Sequence, residues 1–185
     1  KKESLAAVYF NDPFKKILLS GWGGFSNLMI KSTTIKRVGG CDRNIFIQDY
    51  SLPLRVSGYQ YKRKNLKPFS IGLTKEIICV APKFIENRII TNNAQTLHDQ
   101  SLASINFLNE HPHVPDSYKK KLYKKIIRRC WKWKKKNKLI SYFSWDYFNL
   151  IKSYLFINEN IDVLKLEIMN TWKNEKNIRV FEDDK

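Results

Sequence analysis

The clearest periodicity lies in the second half of the chain. Leu97, Ser101, Ile105 and Leu108 recur at helical spacing, which predicts a helix over residues 93–110 that His111 and Pro112 end. From Pro115 onward Tyr118, Leu122, Ile126, Cys130 and Trp133 step by four, four, four and three. They form one apolar stripe with Trp131 beside it, and Lys or Arg fills nearly every other position. This predicts an amphipathic basic helix. One or two aromatic-rich helices follow through Trp172, and residues 174–185 read as a frayed tail.

The first half is patterned differently. A short, partly apolar run over residues 25–30, preceded by Gly21, Gly23 and Gly24, predicts a strand entered from a tight turn. Ser32 can open a short helix through Val38, which Gly39 and Gly40 stop. Residues 49–56 read as helical, with Pro53 tolerated as in a first turn. Residues 76–80 read as a buried strand closed by Ala81 and Pro82. The expectation is therefore a mixed α/β part over residues 1–92, followed by a helical extension over residues 93–185.

Composition supports a folded chain: 43% of the 185 residues are hydrophobic and 14% aromatic, enough to bury a core. Charge changes the picture more. The formal net charge is +17, and residues 115–138 hold twelve Lys and Arg against the single acid Asp116, a local charge of +11. Such asymmetry suggests a face for a polyanion, either nucleic acid or anionic lipid, and it equally suits a solvated helix face. Cys41, Cys79 and Cys130 are far apart and odd in number, so neither a disulfide framework nor a metal-ligand pair follows. Reduced thiols of a cytoplasmic protein are the default reading. The apolar stretch over residues 139–157 is interrupted by Asp146, Asn149 and Lys152 and falls short of the ~20 apolar residues of a spanning helix.

The stretch from Gly21 to Gly58 carries the chemistry. It contains Gly39-Gly40-Cys41-Asp42, then Gln48-Asp49 opening a helix with Leu52 and Arg55. This order resembles the second half of family 2 inverting glycosyltransferases of the GT-A fold. There a glycine-bearing strand entry leads to a short helix, a Gly-Gly-Phe-Asp-Glu-like loop, and a Glu-Asp pair that opens a helix containing a Leu and an Arg. The matching region is about a fifth of the chain. Cys41 stands where the family has Phe, Arg43 where it has Glu, and Gln48 where it has Glu. The family's Asp-x-Asp metal signature occurs nowhere in the sequence.

The resemblance implies the acceptor-side half of a GT-A mixed sheet, with further chemistry expected upstream of Lys1. It also implies inversion, with Asp49 as catalytic base and a divalent metal, Mg or Mn, held mainly by residues outside this chain. A carboxylate within hydrogen-bond reach of an acceptor hydroxyl takes its proton as the oxygen attacks the anomeric carbon. The N–H groups and dipole of a helix start suit a negative charge there, so Asp49 is equally readable as a helix cap. Gly23 and Gly24 are candidates for close backbone approach to the substrates, or an ordinary turn. Gln48 and Arg55 are candidate substrate contacts, and Arg55 can instead brace the fold through a carboxylate. His98, some fifty residues after Asp49 and followed by Asp99, is a candidate metal ligand or a boundary histidine sharing a face with Leu102 and Ile105. His111 and His113 read as surface residues beside a turn.

The expected partners are a nucleotide-diphosphate sugar and a surface-glycan or lipid-linked acceptor. The expected location is the cytoplasm, peripheral on the inner face of the cytoplasmic membrane. The basic helix can lie among anionic headgroups, burying its stripe, or pack the stripe inside and leave its lysines in water. The rival class is a non-catalytic module that binds membrane or nucleic acid, although no zinc-ligand spacing, RNP-like segment or helix-turn-helix signature supports nucleic acid.

Overall fold

The computed structural model describes residues 7–20, 28–74, 93–137, 143–156, 160–176 and 178–179. Helices carry its architecture. They are α1 (Pro13–Ser20), α2 (Ser32–Val38), α3 (Gln48–Ser57), α4 (Asn93–Glu110), α5 (Asp116–Lys136), α6 (Trp145–Leu155) and α7 (Ile161–Trp172). A 3-10 turn over Tyr59–Tyr61 follows α3. The strands β1 (Ala7–Tyr9) and β2 (Gly72–Thr74) form a two-stranded antiparallel ribbon in which Val8 faces Leu73.

This overturns the expected mixed α/β, GT-A-like sheet. Two three-residue strands are the whole sheet among the described residues. The run expected to be a strand at residues 25–30 is described only from Leu28, and residues 28–30 are irregular. The strand expected over residues 76–80 lies outside the described residues. The physical reason is that α3, α4, α5 and α7 bury their apolar stripes against one another, so no sheet face is needed to cover them.

Local chemistry explains where most helices start and stop. Asp12 accepts the Lys15 N–H at 2.9 Å ahead of α1, and Pro13 takes the first helical position, where a missing N–H costs nothing. Gly39 (φ 85°) and Gly40 (φ 74°) are both left-handed, and the Gly40 N–H returns to the Ile35 carbonyl at 2.9 Å to close α2. Ser144 and Asn160 cap α6 and α7 through their side chains. In α5, Asp116 sits in the first turn and Lys134, Lys135 and Lys136 in the last, matching the helix dipole at both ends.

Helix α4 is the central element. The pairs Ile47–Asp99, Tyr50–Ser104 and Arg55–Glu110 step in the same sense, so α3 and α4 run alongside each other in one direction. Helix α5 returns antiparallel and brings Arg129 to the Gln100 carbonyl. Helix α7 closes the far side, with Lys134 bound to Glu167 and the Trp172 ring against His98. One hydrophobic cluster joins Phe14, Leu54, Phe107, Leu122, Ile126 and Ile168, and so spans both sides of the boundary expected near residue 92. The Phe14 ring is stacked on Phe107 at 5.3 Å and meets Tyr61 and Tyr118 edge-on.

The α5 stripe is part of this core. Leu122, Ile126 and Cys130 are fully buried, Trp133 is buried, and Trp131 is half-covered by Tyr147 of α6. Of the two readings open for this helix, the stripe therefore takes the internal one. No helix among the described residues is long and apolar enough to cross a membrane.

Candidate functional site

The loop over residues 39–47 and the first turn of α3 form a braced unit around Asp49. Its turn depends on glycine at positions 39 and 40, where both φ angles are positive, and a Cβ on Gly39 would stand 3.2 Å from the Arg55 guanidinium. Arg55 is buried in α3 and reaches back to the end of α2. It donates to the Gly40 carbonyl at 2.8 Å and to the Val38 carbonyl, and its Nε lies 3.4 Å from Glu110 Oε2. Its planar fork thus holds the α2 end, the glycine turn and α4 together.

Gln48 clasps the loop from the other side. Its Oε1 accepts the Asp42 N–H at 3.1 Å, while its Nε2 donates to the Asp42 carbonyl at 2.7 Å and to the Ile45 carbonyl. This gives glutamine at position 48 a physical reason, since a carboxylate has no hydrogen to give to two carbonyls. Asp42 is in turn tied to its own loop by the Asn44 N–H at 3.0 Å and to α4 by Asn106 Nδ2 at 2.9 Å.

Asp49 stands half-buried in the first turn of α3. It is not the cap. Ile47 occupies the cap position without a side-chain bond of its own, and Asp49 follows Gln48 into the helix. Every residue from Tyr50 to Ser57 is buried, so Gln48 and Asp49 are the polar end of α3 that remains partly open. Pro53 lies in the second turn rather than the first, and has no N–H to give to the Asp49 carbonyl four residues back.

A side chain fifty-two residues away fixes where α3 begins. Asp99, only 1% exposed, accepts the Ile47 N–H at 2.9 Å through Oδ2. Its Oδ1 accepts from Gln95 Nε2 at 2.8 Å and from His98 Nδ1 at 2.9 Å. Gln95 also holds the tail: its Oε1 accepts the Arg179 N–H at 2.6 Å, and the Arg179 guanidinium lies over the Phe46 ring. Residues 178 and 179 are therefore docked rather than frayed, while residues 180–185 lie outside the described residues. His98 serves this network, between Asp99 and the Trp172 ring at 5.7 Å. Among the described residues no three His, Cys, Asp or Glu side chains come together to hold a metal ion. The described residues thus do not by themselves assemble a Mg or Mn site. Gly23 and Gly24 lie outside the described residues.

Next to Asp49, Tyr50 is buried in the α4–α5 contact. Its hydroxyl is 3.4 Å from Ser104 Oγ, and the Arg129 guanidinium lies 4.8 Å from its ring centre. Burial pushes the phenol up, but Arg129, Ser104 and Lys125 together bring it below its ordinary value. Lys125 is itself held below the ordinary lysine range, chiefly by burial.

Sequence reasoning missed Asp99, Gln95 and His111. His111 is buried and stacked on Phe107 at 4.1 Å, with Nδ1 donating to the Phe107 carbonyl at 2.8 Å. Burial drives its pKa down to about 4. The available signal was the polar residues of residues 93–110 that fall on the inward side of a helix, namely Gln95, Asp99, Ser101 and Ser104. No protein-family model, curated protein or solved structure matches the chain.

Proposed function

We propose that this chain supplies the acceptor-side, base-bearing part of an inverting glycosyltransferase, with Asp49 as the base. The observation that supports it most is the braced unit itself. Gln48, Arg55, Asp42 and Asp99 each donate or accept hydrogen bonds that hold the loop or the start of α3, and Asp49 stands half-buried at that held point. Preorganisation of this kind suits a group that must meet a substrate atom within a few tenths of an ångström.

In this reading an acceptor hydroxyl hydrogen-bonds to the Asp49 carboxylate. As its oxygen attacks the anomeric carbon, the proton passes to Asp49. The new carbon–oxygen bond forms while the bond to the diphosphate oxygen breaks, and the nucleoside diphosphate leaves with the electron pair. Direct displacement inverts the anomeric centre. The acceptor is a growing surface glycan or a lipid-linked sugar at the inner face of the cytoplasmic membrane.

The test is a donor screen on the natural full-length protein, with uridine, guanosine, thymidine and cytidine nucleotide sugars, with and without Mg or Mn, against glycan and polyprenol-linked acceptors. Acceptor-dependent release of the nucleotide, with an inverted product by NMR, is the expected result. Absence of such release with every donor overturns the proposal.

A further inference from the structure

We propose that the outer face of α6, together with the basic ridge of α5 beside it, is a docking surface for an anionic lipid bilayer. This stands apart from the sugar-transfer reading and does not rest on it.

On α6 the positions 145, 148, 152 and 155 share one face at helical spacing. Trp145 is 74% exposed, Phe148 54% and Leu155 66%, and Phe156, just past the helix, 73%. Tyr147 and Ile151 lie on the other side, half-buried, where Tyr147 meets Trp131 of α5 edge-on at 5.9 Å. An α6 that buries one side on α5 thus turns large aromatic and aliphatic side chains to solvent on the other. Single exposed apolar residues need no explanation, but three along one short helix face with a fourth just past its end mark an interaction site.

The neighbouring charge says what covers it. Lys124, Arg128, Lys132 and Lys136 recur every four residues along the solvent side of α5 and are all exposed, next to the Trp131 contact that seats α6. After Asp116 the helix contains no acid. Lys152 adds a positive charge within the α6 face itself. Aromatic and aliphatic groups beside a continuous row of cations match an acyl boundary under anionic headgroups. Because the chain carries +17, a second copy would be repelled at this face. Nucleic acid would want open ring faces for stacking, whereas the Trp145 and Phe148 rings are already stacked on each other at 5.4 Å, beside the aliphatic Leu155. The stripe of α5 does not serve as the anchor, because Leu122, Ile126 and Trp133 are in the core.

The experiment is vesicle co-sedimentation of this chain with phosphatidylcholine alone and with phosphatidylcholine and phosphatidylglycerol at about 7:3. The chain is expected to bind the anionic vesicles at least ~10-fold more tightly than the neutral ones, and to lose that margin in 1 M salt, where the Debye length is ~3 Å. Arg128→Glu with Lys132→Glu and Lys152→Glu should weaken binding roughly 100-fold. Trp145→Ser with Phe148→Ser and Leu155→Ser should weaken it roughly 10-fold at unchanged charge. These side chains are exposed, so thermal melts of both variants should match the parent. Independently of any such variant, brominated lipid should quench tryptophan fluorescence in the parent, and the quenching should be lost in Trp145→Phe. Unchanged binding by the serine variant, or unchanged quenching in Trp145→Phe, overturns the proposal. So does DNA that strips the protein from vesicles, or a dimer that the serine variant dissolves.

Discussion

Lowering the pH from 8 to 5 acts on a buried histidine at the end of α4. His111 closes the end of α4, wedged against Phe107 with its Nδ1 hydrogen on the Phe107 carbonyl. Burial lowers its pKa from 6.5 to about 4, helped by the nearby positive charges of Lys62 and Arg55 and opposed by the carbonyl. The folded state therefore keeps a neutral ring where the unfolded chain binds a proton. Between pH 6.5 and pH 4 the unfolded state holds more protons, so stability is full above pH 6.5 and falls as the pH drops toward 4. A shift of this size corresponds to about 3 kcal/mol when complete, of which about 2 kcal/mol is lost at pH 5. For a chain of this length that corresponds to a melting temperature lower by roughly 4–8 °C. Urea unfolding at pH 8, 7, 6 and 5 measures the loss. His111→Phe keeps a ring against Phe107 and removes the titrating group, so its stability should start lower, for want of the carbonyl bond, but fall less steeply between pH 6.5 and 5. An equal fall in parent and variant would refute the assignment to His111.

Two further predictions concern packing and the loop clasp. Gly58→Ala places a Cβ 2.4 Å from the Phe107 ring, which is itself stacked on Phe14 and His111, and should cost about 1–3 kcal/mol by denaturant titration. Gln48→Glu turns two donated bonds into a carboxylate facing two carbonyls, and should cost about 1–3 kcal/mol and speed hydrogen exchange at the Asp42 amide.

What was legible in the sequence was the part governed by local rules. The bounds of α4 follow from a regular apolar repeat ended by His111 and Pro112, and α2 ends where two glycines permit left-handed backbone. The α5 stripe was readable as a stripe, but its burial was not, because a helix pattern gives the apolar side and not the partner that covers it. The sheet was misread because β-rich short runs and a family resemblance both pointed to strands, whereas helix-on-helix packing covers the apolar surface here. At the site, the glycine turn and the position of Asp49 near a helix start followed from residue order. Asp99 did not, because its role depends on the Ile47 N–H fifty-two residues away. The same holds for Gln95 and Arg179, eighty-four residues apart.

In the proposed transferase, the braced start of α3 presents the Asp49 carboxylate to the acceptor hydroxyl. Asp49→Asn in the natural full-length protein keeps the shape of the side chain and removes its capacity to take a proton. No other described side chain in the loop uses Asp49 as its brace, since the loop is held by Gln48, Asp42, Asp99 and Arg55. The expected result is an unchanged thermal melt, nearly unchanged donor affinity, and sugar transfer lowered by ~100-fold or more. Near-normal transfer by the folded Asp49→Asn protein would contradict it.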